Sequence, residues 1–216
     1  MIRVLLADDQ QLVRAGFRMI LRAEPDIGVV GEAADGVEAV ESARRLRPDL
    51  VLMDIRMPRL NGIEATRQLL RLPDPPRVLV VTTFDLDQYV YESLRLGASG
   101  FLLKDTPEEQ LVAAIRTVVT GVALLDHEVT RRLIDAFASR VAAVDRPARL
   151  DVLTPREVDV LRQLARGRSN AEIARDLFLS DATVKTHVGH VLAKLGLTSR
   201  TQAVVLAYET RLVTPD

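Results

Sequence analysis

The sequence predicts a doubly wound α/β domain on a five-stranded parallel sheet, joined to a small all-α domain. Three observations carry this. Up to about residue 120, short apolar runs alternate with helical stripes five times over, and that alternation builds a parallel sheet with helices on both faces. Four of the five runs stop on Asp, Thr or Lys. Beyond residue 150 the pattern is helical only, with a tight break before the longest stripe.

The first strand covers residues 2–7 and stops at Asp8-Asp9. Leu12, Val13, Phe17, Ile20 and Leu21 then mark a helix over about 10–23. Ile27 to Ala33 is the second strand, and Asp35-Gly36 turns into a helix carrying Val37, Ala39, Val40, Ala43 and Leu46. Leu50-Val51-Leu52-Met53 ends abruptly on Asp54 and reads as a central strand buried on both faces. The turn-rich Met57-Pro58-Arg59-Leu60-Asn61-Gly62 opens a helix over about 62–72, which Asp74-Pro75-Pro76 breaks. Arg77 to Thr82 is the fourth strand, 86–96 a helix ended by Gly97, and Gly100 to Leu103 the fifth strand. Pro107 starts a last helix through about Thr120, a favoured place for proline.

Residues 122–150 have the texture of a linker. Asp126 to Phe137 is an amphipathic helix with Val129, Leu133, Ile134 and Phe137 on one face, and Ala138 to Arg149 is an Ala/Arg-rich tether. His127 reads as solvated. The second domain, 151–216, opens with Thr154 as N-cap, Pro155 at the first helical position and Glu157 closing a capping box. That helix carries Val158, Val160, Leu161, Leu164 and Ala165, and ends at Gly167. Ser169 caps the next, which buries Ile173, Ala174 and Leu177. After Phe178-Leu179-Ser180 comes the longest helix, Asp181 to Leu195, with Val184, Val188, Val191, Leu192 and Leu195 as its core stripe. Lys185, Thr186 and Gly189 are left facing outward. Arg200 to about Arg211 is the last helix. Two short helices with a tight turn, the second presenting basic and hydroxyl residues, match a helix-turn-helix. Periodicity alone fits any four-helix domain equally well.

The chain of 216 residues is 48% hydrophobic and 27% charged, which permits a proper core and argues against disorder. The absence of cysteine excludes disulfides and thiolate metal sites. The apolar start, Met1 to Ala7, is too short for a signal peptide or a membrane span, so a cytoplasmic protein without a membrane partner is expected. From Arg149 onward there are ten Lys+Arg against eight Asp+Glu, and before it 19 against 22. The asymmetry is mild, with the sign of an acidic site followed by a nucleic-acid module.

Ligands of open α/β sheets bind beyond the C-terminal strand ends. Asp8 and Asp9, Asp54, Thr82 and Thr83, and Lys104 all fall there. Three converging carboxylates repel one another and raise at least one pKa unless a cation sits among them. Hard oxygen ligands with open water positions suit Mg²⁺. A carboxylate beside a divalent ion and a lysine is placed to accept a phosphoryl group, with Asp54 as nucleophile and the Thr82 hydroxyl donating to a phosphoryl oxygen. Each residue has an ordinary use too: Asp54 as a loop cap, Lys104 as a surface cation, Thr82 as a β-former, Asp8-Asp9 as a helix cap. Their shared address favours chemistry.

Residues 1–121 resemble the receiver domain of bacterial two-component response regulators. The matching pieces are Ala7-Asp8-Asp9, Met53 to Pro58, Asn61-Gly62, Val81-Thr82-Thr83 and Gly100-Phe101-Leu102-Leu103-Lys104. The resemblance implies a flavodoxin-like sheet of order 2-1-3-4-5. It implies that Asp54 takes a phosphoryl group from a sensor histidine kinase, and that Asp8, Asp9, Asp54 and the Arg56 backbone carbonyl hold Mg²⁺. It makes Thr82 and Phe101 the switch pair. Two departures stand out. Many receivers have Tyr where Phe101 stands, so coupling here runs through ring packing. Many have Lys-Pro where Lys104-Asp105 stands; Lys-Asp is the variant seen in receivers joined to the output module described next.

Leu153-Thr154-Pro155-Arg156-Glu157, Ser169 to Ala174, and Thr183 to Val188 with Lys194-Leu195 resemble the LuxR-type DNA-binding domain. The whole chain is thus similar to the NarL/FixJ family of response regulators. By this resemblance Lys185 and Thr186 meet base edges in the major groove of double-stranded DNA. Asn170, Ser180, Thr183, Lys194 and Arg200 are candidates for phosphate contacts, which set register. Gly189 stands where relatives often carry a longer polar side chain, and costs the helix about 1 kcal/mol relative to alanine. His187 and His190 have a spacing that invites a zinc reading, but without cysteine or an acidic third ligand they are expected to pack and to contact phosphate. The resemblance further implies that the unphosphorylated receiver occludes the recognition helix, and that phosphorylation releases it to form a homodimer on paired half-sites. Two rivals remain: DNA binding without phosphorylation, and a Mg²⁺-dependent aspartyl-phosphate phosphatase. Phosphatases of the haloacid dehalogenase type need a second Asp two residues after the nucleophile; Arg56 stands there.

Overall fold

The computed structural model describes residues 1–83, 87–120 and 150–213, with backbone alone at 87–91. The expected linker helix lies outside the described residues. The chain divides into two compact units, Met1–Leu124 and Leu125–Asp216.

The first unit alternates strands and helices: β1 (Ile2–Ala7), α1 (Gln11–Arg22), β2 (Ile27–Ala33), α2 (Gly36–Leu46), β3 (Leu50–Met53), α3 (Gly62–Leu69), β4 (Arg77–Thr82), α4 (Asp87–Leu96), β5 (Gly100–Leu103) and α5 (Glu108–Val119). The strands pair in parallel in the order β2-β1-β3-β4-β5. All four β3 residues are buried, because helices cover both faces of a central parallel strand. Alternation sends Val4, Leu6, Leu50, Leu52, Leu79, Val81 and Leu102 to one face, where they pack with Leu111, Ile115 and Val118 of α5 and Leu21 of α1. The opposite face takes Leu5, Ala7, Val51, Met53, Val78, Val80 and Phe101, all buried. Two helix ends differ from the sequence reading. α3 stops at Leu69, and Pro107 is the N-cap of α5, with φ −54 and ψ 146, rather than its first residue. Its ring fits the extended approach to the helix as readily as its first turn.

The second unit is helical: α6 (Pro155–Ala165), α7 (Asn170–Asp176), α8 (Asp181–Leu195) and α9 (Arg200–Glu209). Thr154 and Ser169 each form a complete capping box, with Glu157 and Glu172. Val160, Leu161, Leu164, Ile173, Val184, Val191, Ala203 and Val204 form its core. Of the stripe expected on α8, Val184, Val191 and Leu195 are buried while Val188 and Leu192 are half-buried. Among the described residues no helix is long and apolar enough to cross a membrane.

Candidate functional site

β1 runs out at Asp8, which is 3% exposed, and Asp9 beside it is exposed. β3 runs out at Asp54, 4% exposed. The Asp54 N–H donates to the Ala7 carbonyl at 2.8 Å, so the pairing with β1 continues one residue past the strand. One carboxylate oxygen each from Asp8, Asp9 and Asp54 lies within 4.8 Å of the other two. Among the described residues this is the one such cluster, and its hard donors fit Mg²⁺.

Lys104 follows β5, with its N–H bonded to the Thr82 carbonyl at 2.9 Å. Its side chain reaches back over β4. Nζ stands 2.6 Å from Asp8 Oδ2 and 3.0 Å from Asp54 Oδ2. The other Asp54 oxygen, Oδ1, accepts the Ile55 N–H at 2.8 Å. Burial pushes the Asp54 carboxyl above the ordinary aspartate value; Lys104 pulls it down, Asp8 pushes it up, and the net direction is upward. Burial works against the Lys104 ammonium, but its bonds to Asp8 and Asp54 outweigh that and hold its pKa above the usual lysine value.

Thr82 ends β4 and is buried, while Thr83 is exposed. Phe101 is 2% exposed and pairs in register with Val80, so alternation puts Thr82 and Phe101 on the same face of neighbouring strands. Arg56 is exposed, two residues past Asp54. Gly62 closes this loop: its N–H donates to the Ile55 carbonyl at 2.9 Å, and a Cβ there would collide with the Asp54 carbonyl oxygen.

In the helical unit Ser180 caps α8, accepting the Thr183 N–H at 3.1 Å, and its hydroxyl lies 2.7 Å from the Thr183 hydroxyl. Lys185, Thr186, Gly189 and His190 are exposed along α8. The Thr186 hydroxyl donates to the Ala182 carbonyl at 3.0 Å. Three more of the expected phosphate contacts, Asn170, Lys194 and Arg200, also have partners inside the unit. Arg200, 9% exposed, donates to Asn170 Oδ1 at 2.7 Å and to the Arg168 carbonyl, and burial pulls its pKa down to about 10. Lys194 Nζ donates to Glu157 Oε2 at 2.7 Å. His187 is half-buried with Nδ1 hidden and unbonded, and His190 Nδ1 lies 3.9 Å from Glu157 Oε1. In the sequence Glu157 shows only its role as a cap. Its second role answers Lys194 37 positions away, which no local signal announces.

Residues 4–116 match the response regulator receiver domain, and residues 151–207 match the bacterial regulatory proteins of the luxR family. The chain belongs to the NarL/FixJ family of two-component response regulators. Relatives of this response regulator span both domains. It is 42% identical to the uncharacterized transcriptional regulatory protein YxjL of Bacillus subtilis (strain 168), over 98% of this chain and 97% of that one. It is 40% identical to the transcriptional regulatory protein LiaR of the same organism, over 99% and 100%. Among solved structures it is similar to the response regulator ChrA of a heme-sensing two-component system, with 40% identity, 98% of both chains covered and a TM-score of 0.54. This response regulator thus joins a receiver to a LuxR-type DNA-binding domain.

Proposed function

We propose that Asp54 is the phosphoacceptor of this response regulator and that its phosphorylation controls DNA binding. The observation that carries the reading is the setting of Asp54: a nearly buried carboxylate at the end of the central strand, 3.0 Å from Lys104 Nζ, clustered with Asp8 and Asp9. A sensor histidine kinase presents a phosphohistidine. An Asp54 oxygen attacks phosphorus, the O–P bond forms, the P–N bond breaks, and the departing imidazole takes up a proton. Lys104 keeps its ammonium beside the carboxylate that is attacking and faces the charge on the phosphoryl oxygens. Asp8, Asp9, Asp54 and the Arg56 backbone carbonyl would hold Mg²⁺, which when bound neutralises that charge.

The Thr82 hydroxyl then donates to a phosphoryl oxygen, and Phe101 repacks against the space Thr82 leaves. The output is a homodimer on paired half-sites of double-stranded DNA. Lys185 and Thr186 read bases, and Ser180, Thr183, His187 and Gly189 lie against the backbone and groove. Asn170, Lys194 and Arg200 support that face from within. The working boundaries are receiver 1–121, linker 122–150 and DNA-binding domain 151–216. The protein acts in the cytoplasm and turns over nothing beyond its own phosphoryl group.

The test is Asp54→Asn with a small-molecule acyl phosphate and Mg²⁺. Wild type is expected to gain one phosphoryl group by intact-mass measurement and to bind an operator fragment more tightly; the variant does neither. Phosphate-dependent DNA binding retained in Asp54→Asn would remove Asp54 from the role.

A further inference from the structure

The loop from Asp54 to Gly62 is anchored at three points, and the middle one is unusual. Gly62 N–H holds the Ile55 carbonyl at 2.9 Å, and Gly36 N–H holds the Leu60 carbonyl at 3.0 Å. Between them Leu60 N–H donates to the Pro58 carbonyl at 2.6 Å, closing a three-residue turn around Arg59, whose φ is +60. A γ-turn with positive φ is rare and strained, and a side chain makes it worse. Arg59 nevertheless stands there.

The Arg59 side chain supplies the compensation. Nε donates to Asp35 Oδ2 at 2.6 Å, Nη2 donates to the same oxygen, and Nη2 also reaches Glu38 Oε1 at 3.1 Å. Asp35 is 4% exposed, and its Oδ1 accepts the N–H groups of Val37 and Glu38 at 2.8 and 3.0 Å. It is therefore an N-cap of α2 that cannot drift. The strained turn is tied to a buried anchor on a separate element. What lies between the anchored Ile55 and Arg59 is the span Arg56-Met57-Pro58, and Met57 is buried.

We infer that Arg59 is a positioning residue: its tie to Asp35 fixes the path of residues 56–58 and so holds the Arg56 carbonyl toward the Asp8/Asp9/Asp54 cluster. This rests on the proposed metal role of that cluster. A ligand carbonyl on an untethered loop must be ordered by each binding event, and that entropy comes out of the affinity. The fold does not need the tie, since Gly62 and Gly36 hold the loop ends.

The experiment uses the full-length protein in its unphosphorylated form. Mg²⁺ is titrated against wild type, Arg59→Gly, Arg59→Lys and Asp35→Asn, read by amide NMR shifts of residues 54–62 and by calorimetry. Glycine suits the positive φ, so Arg59→Gly keeps the turn accessible while removing the tie. The expected result is an unchanged melting temperature, a Mg²⁺ dissociation constant raised on the order of tenfold, and partial recovery in Arg59→Lys. Asp35→Asn keeps an oxygen for the α2 cap and is expected to match Arg59→Gly. With an acyl phosphate, the Mg²⁺ concentration for half-maximal phosphorylation rises while the rate at saturating Mg²⁺ is kept. Arg59→Gly binding Mg²⁺ as wild type does would overturn the inference. Wild type showing no Mg²⁺ response in residues 54–62 would instead overturn the reading of the cluster.

Discussion

Lys104 lies 3.0 Å from Asp54 although a whole strand, β4, separates β5 from β3. The same ammonium is 2.6 Å from Asp8, at the end of β1. One cation thus spans four of the five strands and stands between two carboxylates that are each at least nine-tenths buried. Burial makes each of these charges costly alone, so the cluster holds together only as a set.

Removing Lys104 is therefore expected to move Asp54. Burial already holds that carboxyl above its ordinary value, and Lys104 is the largest influence pulling it back. Lys104→Gln should raise the Asp54 pKa further, read by ¹³C-carboxyl titration without divalent ions. A folded pKa above the unfolded one favours folding most when the group is protonated, and that contribution is lost as pH rises through the folded value. The variant should lose more stability at neutral than at acid pH. An Asp54 pKa that stays or falls would contradict the account.

Glu157 gives the opposite sign in the other unit. Its bond to Lys194, then the Thr154 N–H, hold its carboxyl down to about 2, below the usual 4.5. Its stabilising contribution is full above the unfolded value and is lost as pH falls toward about 2. With Lys194 half in water, that contribution is about 2 kcal/mol. Amide exchange of α6 and α8 should show their protection falling below pH of about 4.5 in wild type and staying nearly flat with pH in Glu157→Gln, from a lower starting level.

The glycines separate into those that fit a crowded place and those that do not. A Cβ on Gly62 would strike the Asp54 carbonyl, whereas one on Gly189 meets nothing within 4 Å. Gly189→Ala should stabilise α8 by about 1 kcal/mol. Gly62→Ala should destabilise the receiver by on the order of 2 kcal/mol or more, shifting Asp54 as it does so. Thermal unfolding of both variants checks the pair. Equal effects would mean that the loop relaxes around the added methyl.

The sheet is readable because four of its five strands end on a residue that matters. Period and turn residues locate Asp8, Asp54, Thr82 and Lys104 to within a residue of where the strands stop. The helical stripe of apolar residues also places Lys185, Thr186 and Gly189 on the outer side of α8, where all three are exposed. What stayed hidden needs distance in three dimensions. Lys104 reaching Asp8 depends on strand order and on the reach of one side chain, and neither has a local signature. Arg59 reads as part of a polar turn until its φ and its buried partner Asp35 are known. Arg200 and Lys194 look like free cations because their partners, Asn170 and Glu157, lie 30 and 37 positions away.

That last difference separates two kinds of basic residue on the DNA-binding domain. Lys185 is exposed on α8, while Arg200 is 9% exposed and bonded to Asn170 and the Arg168 carbonyl. Removing a buried guanidinium leaves an amide and a carbonyl without partners, which costs about 1–3 kcal/mol. Arg200→Ala should therefore lower the melting temperature of the domain, and its weaker DNA binding should follow the folded fraction. Lys185→Ala should leave melting unchanged and weaken operator binding by about 1–3 kcal/mol, with relaxed preference at one base position. Melting curves paired with binding isotherms on operator and scrambled DNA distinguish the two. Should Arg200→Ala melt like wild type yet bind DNA with a shallower salt dependence, Arg200 would be contacting phosphate directly, and its inward bonds would yield to the DNA on binding.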